Sequence, residues 1–310
     1  MKYQKKKKIY IYSTIGVLSH GLLDACTSYG TSLLWPVSDI RISWNIISII
    51  DPVFTSIIII FFFLCIFSKS IKFIKIGLTL SFSYLFLCFI QYHQIKSFVL
   101  SNSKDRGHKI ERILLNPTIG NNILWRTIYQ SDGYYFIDGV YKSIFSKAKI
   151  INGTKIKVIN KETIYPELDQ NSKQRKDIRR FSYFSQDYIF LHPDFDDVIA
   201  DLRYGTLPYD YKSLWGIKIN SKNKDQHAKF VSLRDFKKKD YENFWNLLKG
   251  NILQKKQEVS NVKTFSGPMG MGLAKSYVQN NQKICIYNTI NGQDELIFQN
   301  TEKKCPKNFE

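Results

Sequence analysis

The stretch PVFTSIIIIFFFLCIF, residues 52–67, is almost wholly apolar and restricts the fold more than any other part of the sequence. Extended back to Ile46, it gives 22 residues with one charged side chain, that of Asp51. A helix rises ~1.5 Å per residue and the hydrocarbon core of a bilayer is ~30 Å thick, so about 20 such residues can cross it. The stretch therefore predicts a transmembrane helix.

Two other apolar stretches predict two more spans. They are residues 9–29 and residues 76–92, of which the first is the less apolar and follows the run Lys5–Lys8. Because Lys and Arg concentrate in cytoplasmic loops, this run and the lysines of residues 68–75 indicate a cytoplasmic N-terminus. Three spans then place the residues from about 95 onward outside the cytoplasm, in the periplasm of a Gram-negative cell.

The distribution of charge supports a membrane part followed by a soluble part. The 310 residues include 45 Lys+Arg and 26 Asp+Glu, a formal net charge of +19. Residues 1–100 contain only ten of the basic and three of the acidic side chains. This composition excludes a disordered chain, a collagen-like chain and a small disulfide scaffold. The basic runs in the soluble part suit anionic lipid headgroups, and no nucleic-acid partner is expected because the aromatic-basic RNA motifs are missing.

All three acidic residues of the first hundred, together with a histidine, fall at the predicted outer membrane edge. His20 and Asp24 are four residues apart, so a helix places them on one side. Imidazole and carboxylate suit zinc or a similar divalent ion, and the alternative is a hydrogen-bonded or interfacial pair. Asp39 lies in the following loop. Asp51 precedes Pro52, which is also typical of a helix N-cap.

These residues lie in a run that resembles a known family. SHGLLDACTSYGTSLLWPVSDIRISWNIISIIDPVFT, residues 19–55, is similar to the YdjM-like inner-membrane metal-dependent hydrolases, some of which are described as LexA-binding. The shared motifs are H-x-x-x-D, T-S/T-Y-G-T, L-L-W-P-F-S-D and I-D-P-x-Y/F-T. Similar blocks continue to about residue 220, at Asn116–Thr118, Asn121–Arg126, Asp132–Tyr135, Phe184–Tyr188 and Asp201–Gly205.

The resemblance implies a membrane-bound, zinc-dependent hydrolase that acts on an ester or phosphoester. His20 and Asp24 would be metal ligands, and Asp39 and Asp51 would be catalytic or outer ligands. A bound metal would lower the pKa of a water molecule that attacks the ester.

Family members usually carry an earlier histidine, a P-D-x-D motif and an H-R-G-x-T-H-S motif. Because these do not precede His20 here, we expect a fragment, a decayed member, or a partner chain that supplies the remaining ligands. We also expect the isolated chain to be inactive or weakly active. The alternative function is a non-catalytic membrane-anchored protein whose periplasmic domain binds a partner or lipid.

The remainder of the chain predicts a soluble domain. Short apolar-aromatic runs between turns predict strands at Tyr134–Ile144, Lys155–Ile159, Phe181–Leu191, Val198–Tyr204, Trp215–Ile219 and Ile284–Ile290. Residues Asp235–Lys249 predict an amphipathic helix. The sequence thus predicts about three transmembrane helices in residues 1–95 and a β-rich α+β periplasmic domain in residues 96–310. Outside the cytoplasm Cys285 and Cys305 could pair, or they could remain thiols.

Overall fold

The computed structural model describes residues 2–221, 223, 226–251, 272–279, 282–289, 292–298 and 305–306. The chain divides into two compact units, Met1–Ile252 and Leu253–Glu310. The helices of the first unit are α1 (Lys2–Cys26), α2 (Pro52–Ser68), α3 (Lys72–Asp105), α4 (Lys173–Phe184) and α5 (Lys238–Leu248). Its strands are β1 (Arg112–Pro117), β2 (Leu124–Ser131), β3 (Tyr134–Tyr141), β4 (Lys149–Lys157), β5 (Ile189–Leu191), β6 (Val198–Asp201), β7 (Trp215–Lys218) and β8 (Lys229–Ser232).

The prediction of about three transmembrane helices is wrong. Within the described residues, only α3 is both long and apolar enough to cross a membrane. Helix α2 is strongly apolar but has 17 residues, about 25 Å at ~1.5 Å per residue, which is shorter than a ~30 Å hydrocarbon core. Helix α1 has 25 residues, but its lysines and its Ser, Thr, His and Asp side chains lower its mean hydropathy below that of a membrane-spanning helix.

Helices α2 and α3 form an antiparallel hairpin. The turn between them includes Lys69, which is left-handed at φ 49° and ends α2. At the helix crossing, a Cβ atom added to Gly77 would lie 2.6 Å from the Cβ of Phe61. Small residues allow helix backbones to approach this closely. No residue of α2 is fully buried, and most of its apolar side chains, apart from half-buried ones such as Phe54, face outward.

The first sheet is an antiparallel meander in the order β1-β2-β3-β4. Strand β2, one of its two central strands, is buried along nearly its whole length. Trp125 and Tyr129 of this strand pack with Ile95 and Val99, which belong to the second half of α3. The same helix therefore provides both an apolar segment of membrane length and part of the core of this sheet.

The second sheet has the antiparallel order β5-β6-β7-β8 and packs against α4. The Ser172 side chain caps α4 by accepting a hydrogen bond from the Arg175 backbone N–H. Ile178 and Phe181 of α4 pack on the sheet. The strand predicted over Phe181–Leu191 is therefore partly wrong, because α4 continues to Phe184 and only its end, β5, is a strand.

The second unit contains a three-stranded antiparallel sheet. Its strands are β9 (Gly272–Gln279), β10 (Gln282–Thr289) and β11 (Gly292–Phe298), with β10 in the centre. Cys285 of β10 forms a disulfide with Cys305, and both pack in the small core of this sheet. Of the two alternatives that the sequence left open for these cysteines, the structure shows the bonded one.

Candidate functional site

His20 and Asp24 lie side by side on the last turns of α1. His20 Nδ1 is 3.6 Å from Asp24 Oδ2, and the two side chains are 76% and 45% exposed. The helical spacing thus brings the two predicted metal ligands onto one face of α1. No group of three or more His, Cys, Asp or Glu side chains arranged for a metal ion occurs among the residues that the structure describes.

Asp51 is buried and serves as the N-cap of α2. Its Oδ1 accepts a hydrogen bond from the Phe54 backbone N–H at 3.0 Å. Its Oδ2 accepts a hydrogen bond from the Tyr84 hydroxyl of α3 at 2.8 Å. Both carboxylate oxygens therefore accept hydrogen bonds from the protein. The bond to Tyr84 links the two helices of the hairpin. The structure thus shows Asp51 as a helix N-cap, which the sequence offered as the alternative to a catalytic function.

Asp39 is exposed in the loop between α1 and α2, and its backbone connects this loop to α4. The Tyr183 hydroxyl donates a hydrogen bond to the Asp39 carbonyl. Two further hydrogen bonds join the same segment to the β-rich part. Tyr204 donates its hydroxyl to the Ser28 carbonyl at 2.8 Å, and the Gln186 amide donates to Ser43 Oγ at 3.0 Å. We call residues 27–50, which carry these contacts, the junction segment.

A buried ion pair supports the surface on which the junction segment rests. Arg203 Nη2 is 2.8 Å from Asp201 Oδ2, with both side chains almost fully buried. Burial alone would lower the pKa of the Arg203 guanidinium, but its hydrogen bonds to Asp201 raise that pKa overall. The guanidinium also lies over the rings of Phe184 and Tyr204. The guanidinium therefore stays charged and orders the aromatic side chains beside the junction.

A cavity of about 520 Å³ opens beside the junction segment. This is within the ~300–1,000 Å³ typical of small-molecule sites. Its lining is mainly apolar and is contributed by the end of α1, the junction segment and α3: Cys26, Ser43, Trp44, Ile46, Phe89, Tyr92 and His93. None of the four predicted site residues lines this cavity.

The sequence analysis did not identify Arg126 as a structural residue that binds several backbone carbonyls. Its buried guanidinium donates to the backbone carbonyls of Leu202 at 3.0 Å, Leu207 at 2.9 Å and Asp210 at 2.7 Å. Burial lowers the pKa of Arg126 to about 10. The signal was present in the block Asn121–Arg126, because an arginine within an apolar strand needs buried acceptors.

Comparison with known proteins gives one match. The model of the YdjM inner membrane protein family matches residues 1–95. Neither the curated proteins nor the solved structures provide a match. The matched residues include His20, Asp24, Asp39 and Asp51, together with α2 and most of α3. The chain is thus consistent, over residues 1–95, with a YdjM-like member of an inner membrane protein family, which supports its association with the membrane.

Proposed function

We propose that this protein is a membrane anchor that holds a β-rich domain against the outer face of the inner membrane, where the domain binds the lipid surface. The observation that carries the proposal is the continuity of α3, which runs unbroken over the 34 residues Lys72–Asp105. Its first part is apolar enough to cross a membrane. In its second part, Ile95 and Val99 pack in the core of the first sheet. A rigid helix therefore fixes the sheet close to the bilayer.

The α2–α3 hairpin gives the anchor its direction. Lys69, Lys72 and Lys75 lie at the tip of the hairpin, far from the β-rich part. By the positive-inside rule this tip is cytoplasmic, so α3 delivers the sheets to the opposite side. A helix as short as α2 is accommodated by local thinning of the bilayer. The Cys285–Cys305 disulfide supports the same direction, because disulfides persist in oxidising compartments such as the periplasm.

The contacts around the junction segment support a positioning function for Asp39 and Asp51. Asp51 holds α2 and α3 together, and the carbonyl of Asp39 accepts from Tyr183 on α4. These contacts join the hairpin to the β-rich part at the membrane edge. In this proposal the two aspartates position the domain.

Membrane extraction tests the anchor. After expression in a Gram-negative host, the wild-type chain is expected to stay with the membrane pellet at alkaline pH. The double substitution Phe63→Lys and Phe86→Lys places two charges on exposed apolar faces of the hairpin, each costing about 2.5–3.5 kcal/mol in a bilayer centre. We expect it to release the chain. Phe230→Lys, on an exposed face of β8, is the matched control and is expected to remain in the pellet. Extraction of the wild type would contradict the proposal.

A second candidate function is metal-dependent hydrolysis of an ester or phosphoester, and the His20–Asp24 pair is the observation that favours it. Their side chains stand 3.6 Å apart and exposed, so a further ligand from a partner chain has access to them. The test is turnover of a phosphodiester, with added Zn²⁺, by the chain in its host membranes, where a partner chain can supply the further ligand. Loss of turnover in His20→Ala, with no loss in His227→Ala, would support it. His227 is a suitable control because its side chain is 65% exposed and also lies beside an aspartate, at 2.9 Å from Asp177 Oδ2. Equal turnover in His20→Ala and the wild type would contradict it.

A further inference from the structure

The loop between β3 and β4 exposes two adjacent apolar side chains. Ile144 is 63% exposed and Phe145 is 99% exposed. Single exposed apolar residues are ordinary on soluble proteins, but this pair is presented by an ordered turn. The Ser146 N–H donates to the Ser143 carbonyl at 3.2 Å, and the Ser143 N–H donates to Ser146 Oγ at 2.9 Å. The backbone polar groups at the base of the turn are therefore satisfied within it.

The side chain of Lys142 turns inward and strengthens the same turn. Its Nζ donates to the carbonyl of Ser146 at 3.3 Å. The ammonium of Lys142 is thus directed away from Ile144 and Phe145, which stay exposed. A surface that is ordered before binding loses little conformational freedom when it binds.

The position of this loop relative to the membrane follows from Gln91. The Gln91 Nε2 donates to the Lys142 carbonyl at 2.9 Å. Gln91 lies 19 residues after Lys72 on α3, about 28 Å along the helix at ~1.5 Å per residue. This length is close to the ~30 Å of the hydrocarbon core. The loop thus begins at the outer edge of the core that α3 crosses.

A second loop lies at the same level. The Gln91 amide also donates to the carbonyl of Asn122, and the Gly120 N–H donates to the Ile50 carbonyl at 3.0 Å. Ile50 directly precedes the cap of α2, so the 118–122 loop lies where the hairpin meets the β-rich part. The exposed apolar side chains of these segments form what we call the outer apolar rim: Ile49, Ile50, Ile119, Ile144 and Phe145.

We propose that the outer apolar rim inserts into the interfacial layer of the bilayer, so that lipid covers it in the working protein. This inference rests on the proposed function and names the surface by which the domain binds lipid. Aromatic and apolar side chains at this depth are typical of protein segments that lie in a membrane interface. Two exposed lysines, Lys147 in the same loop and Lys149 at the start of β4, suit anionic headgroups.

A fluorescent label placed at the rim tests the inference. The full chain is prepared with Cys26, Cys65 and Cys88 replaced by alanine and with the Cys285–Cys305 disulfide retained. Phe145→Cys is then labelled with a nitrobenzoxadiazole dye. The matched control is Phe230→Cys on β8, where the phenylalanine is 64% exposed. Both proteins are reconstituted into vesicles of phosphatidylethanolamine and phosphatidylglycerol, with and without lipids that carry a nitroxide quencher.

We expect nitroxide lipids to quench the label at position 145 at least threefold more strongly than the label at position 230. Equal quenching at the two positions would overturn the inference. Flotation of the same samples separates insertion of the rim from anchoring of the protein. Failure of the protein to float with the vesicles would contradict the membrane anchor itself. Phe145→Trp in the chain with native cysteines gives a second measurement. Its added tryptophan emission should be quenched by brominated lipids, and unquenched emission would overturn the inference.

Discussion

The Tyr84 hydroxyl of α3 donates a 2.8 Å hydrogen bond to Asp51, the residue that caps α2. A carboxylate that the sequence offered as a catalytic candidate thus serves as a structural tie inside the hairpin. Its second oxygen accepts from the Phe54 N–H. The pair joins the two helices next to the point where the junction segment ends. Its function is therefore best examined through stability.

Replacement of Asp51 should destabilise the hairpin. Asp51→Ala removes an N-cap, which costs about 1 kcal/mol, and leaves the Tyr84 hydroxyl without its acceptor, which costs a further ~1–3 kcal/mol. Tyr84→Phe keeps the N-cap but leaves the buried Asp51 Oδ2 without its donor, so it should cost ~1–3 kcal/mol. Thermal unfolding in detergent measures both. A normal unfolding temperature in Asp51→Ala would contradict the assigned structural function.

Close packing at Gly77 predicts a second effect. A Cβ atom at this position would meet Phe61 at 2.6 Å, so Gly77→Ala should separate α2 from α3. Overpacking of this kind costs about 1–3 kcal/mol. Gly16→Ala on α1 is the matched control, because a Cβ there meets nothing within 4 Å. The measurement is the rate of proteolysis in detergent, and equal rates in the two variants would contradict the packing.

The buried His192 predicts a dependence of stability on pH. Burial lowers the pKa of His192 below its ordinary value of 6.5, and its Nδ1 accepts from the Asp194 N–H. The folded protein therefore holds a neutral imidazole, whereas the unfolded chain binds a proton below about pH 6.5. Stability should fall as the pH decreases from 6.5 to the lower folded pKa.

The variant His192→Asn isolates this contribution. It should flatten the decline in the free energy of unfolding between pH 7 and pH 5, as measured by urea titration at each pH. An unchanged decline in the variant would show that the acid sensitivity arises from other groups.

The Cys285–Cys305 disulfide predicts a difference in thiol count. The unfolded but unreduced chain should react with a maleimide at three cysteines, Cys26, Cys65 and Cys88, and at five after reduction. Mass spectrometry of the full chain, purified in detergent from the membranes of a Gram-negative host, counts the adducts. Cys285→Ser should destabilise the second unit by ~3 kcal/mol, which is the value for a closed loop of this length. Five adducts before reduction would contradict the bond.

The parts of the fold that the sequence predicted are those governed by local patterns. The strand predicted from the apolar-aromatic run Tyr134–Ile144 and the amphipathic helix predicted over Asp235–Lys249 were confirmed as β3 and α5, with shorter ends. The number of membrane helices was wrong because length and hydropathy decide it jointly. Helix α2 lacks the length, and α1 lacks the apolar composition.

The site was harder to predict because spacing along the chain does not fix distances between elements. The four-residue spacing of His20 and Asp24 held, since one helix determines it. Asp51 accepts a hydrogen bond from Tyr84, 33 residues later in the chain. No local sequence pattern reveals this contact. The outer apolar rim likewise depends on Gln91 contacting two loops that are distant in sequence.

Accessibility to an impermeant maleimide from the two sides of the membrane tests the central claim most directly. Single cysteines are introduced as Ser70→Cys at the hairpin tip and Lys173→Cys at the start of α4, in a chain whose free cysteines are replaced by alanine. In intact spheroplasts the account predicts labelling at position 173 only, and labelling at position 70 only after lysis. Labelling at position 70 from outside, with position 173 protected until lysis, would contradict it.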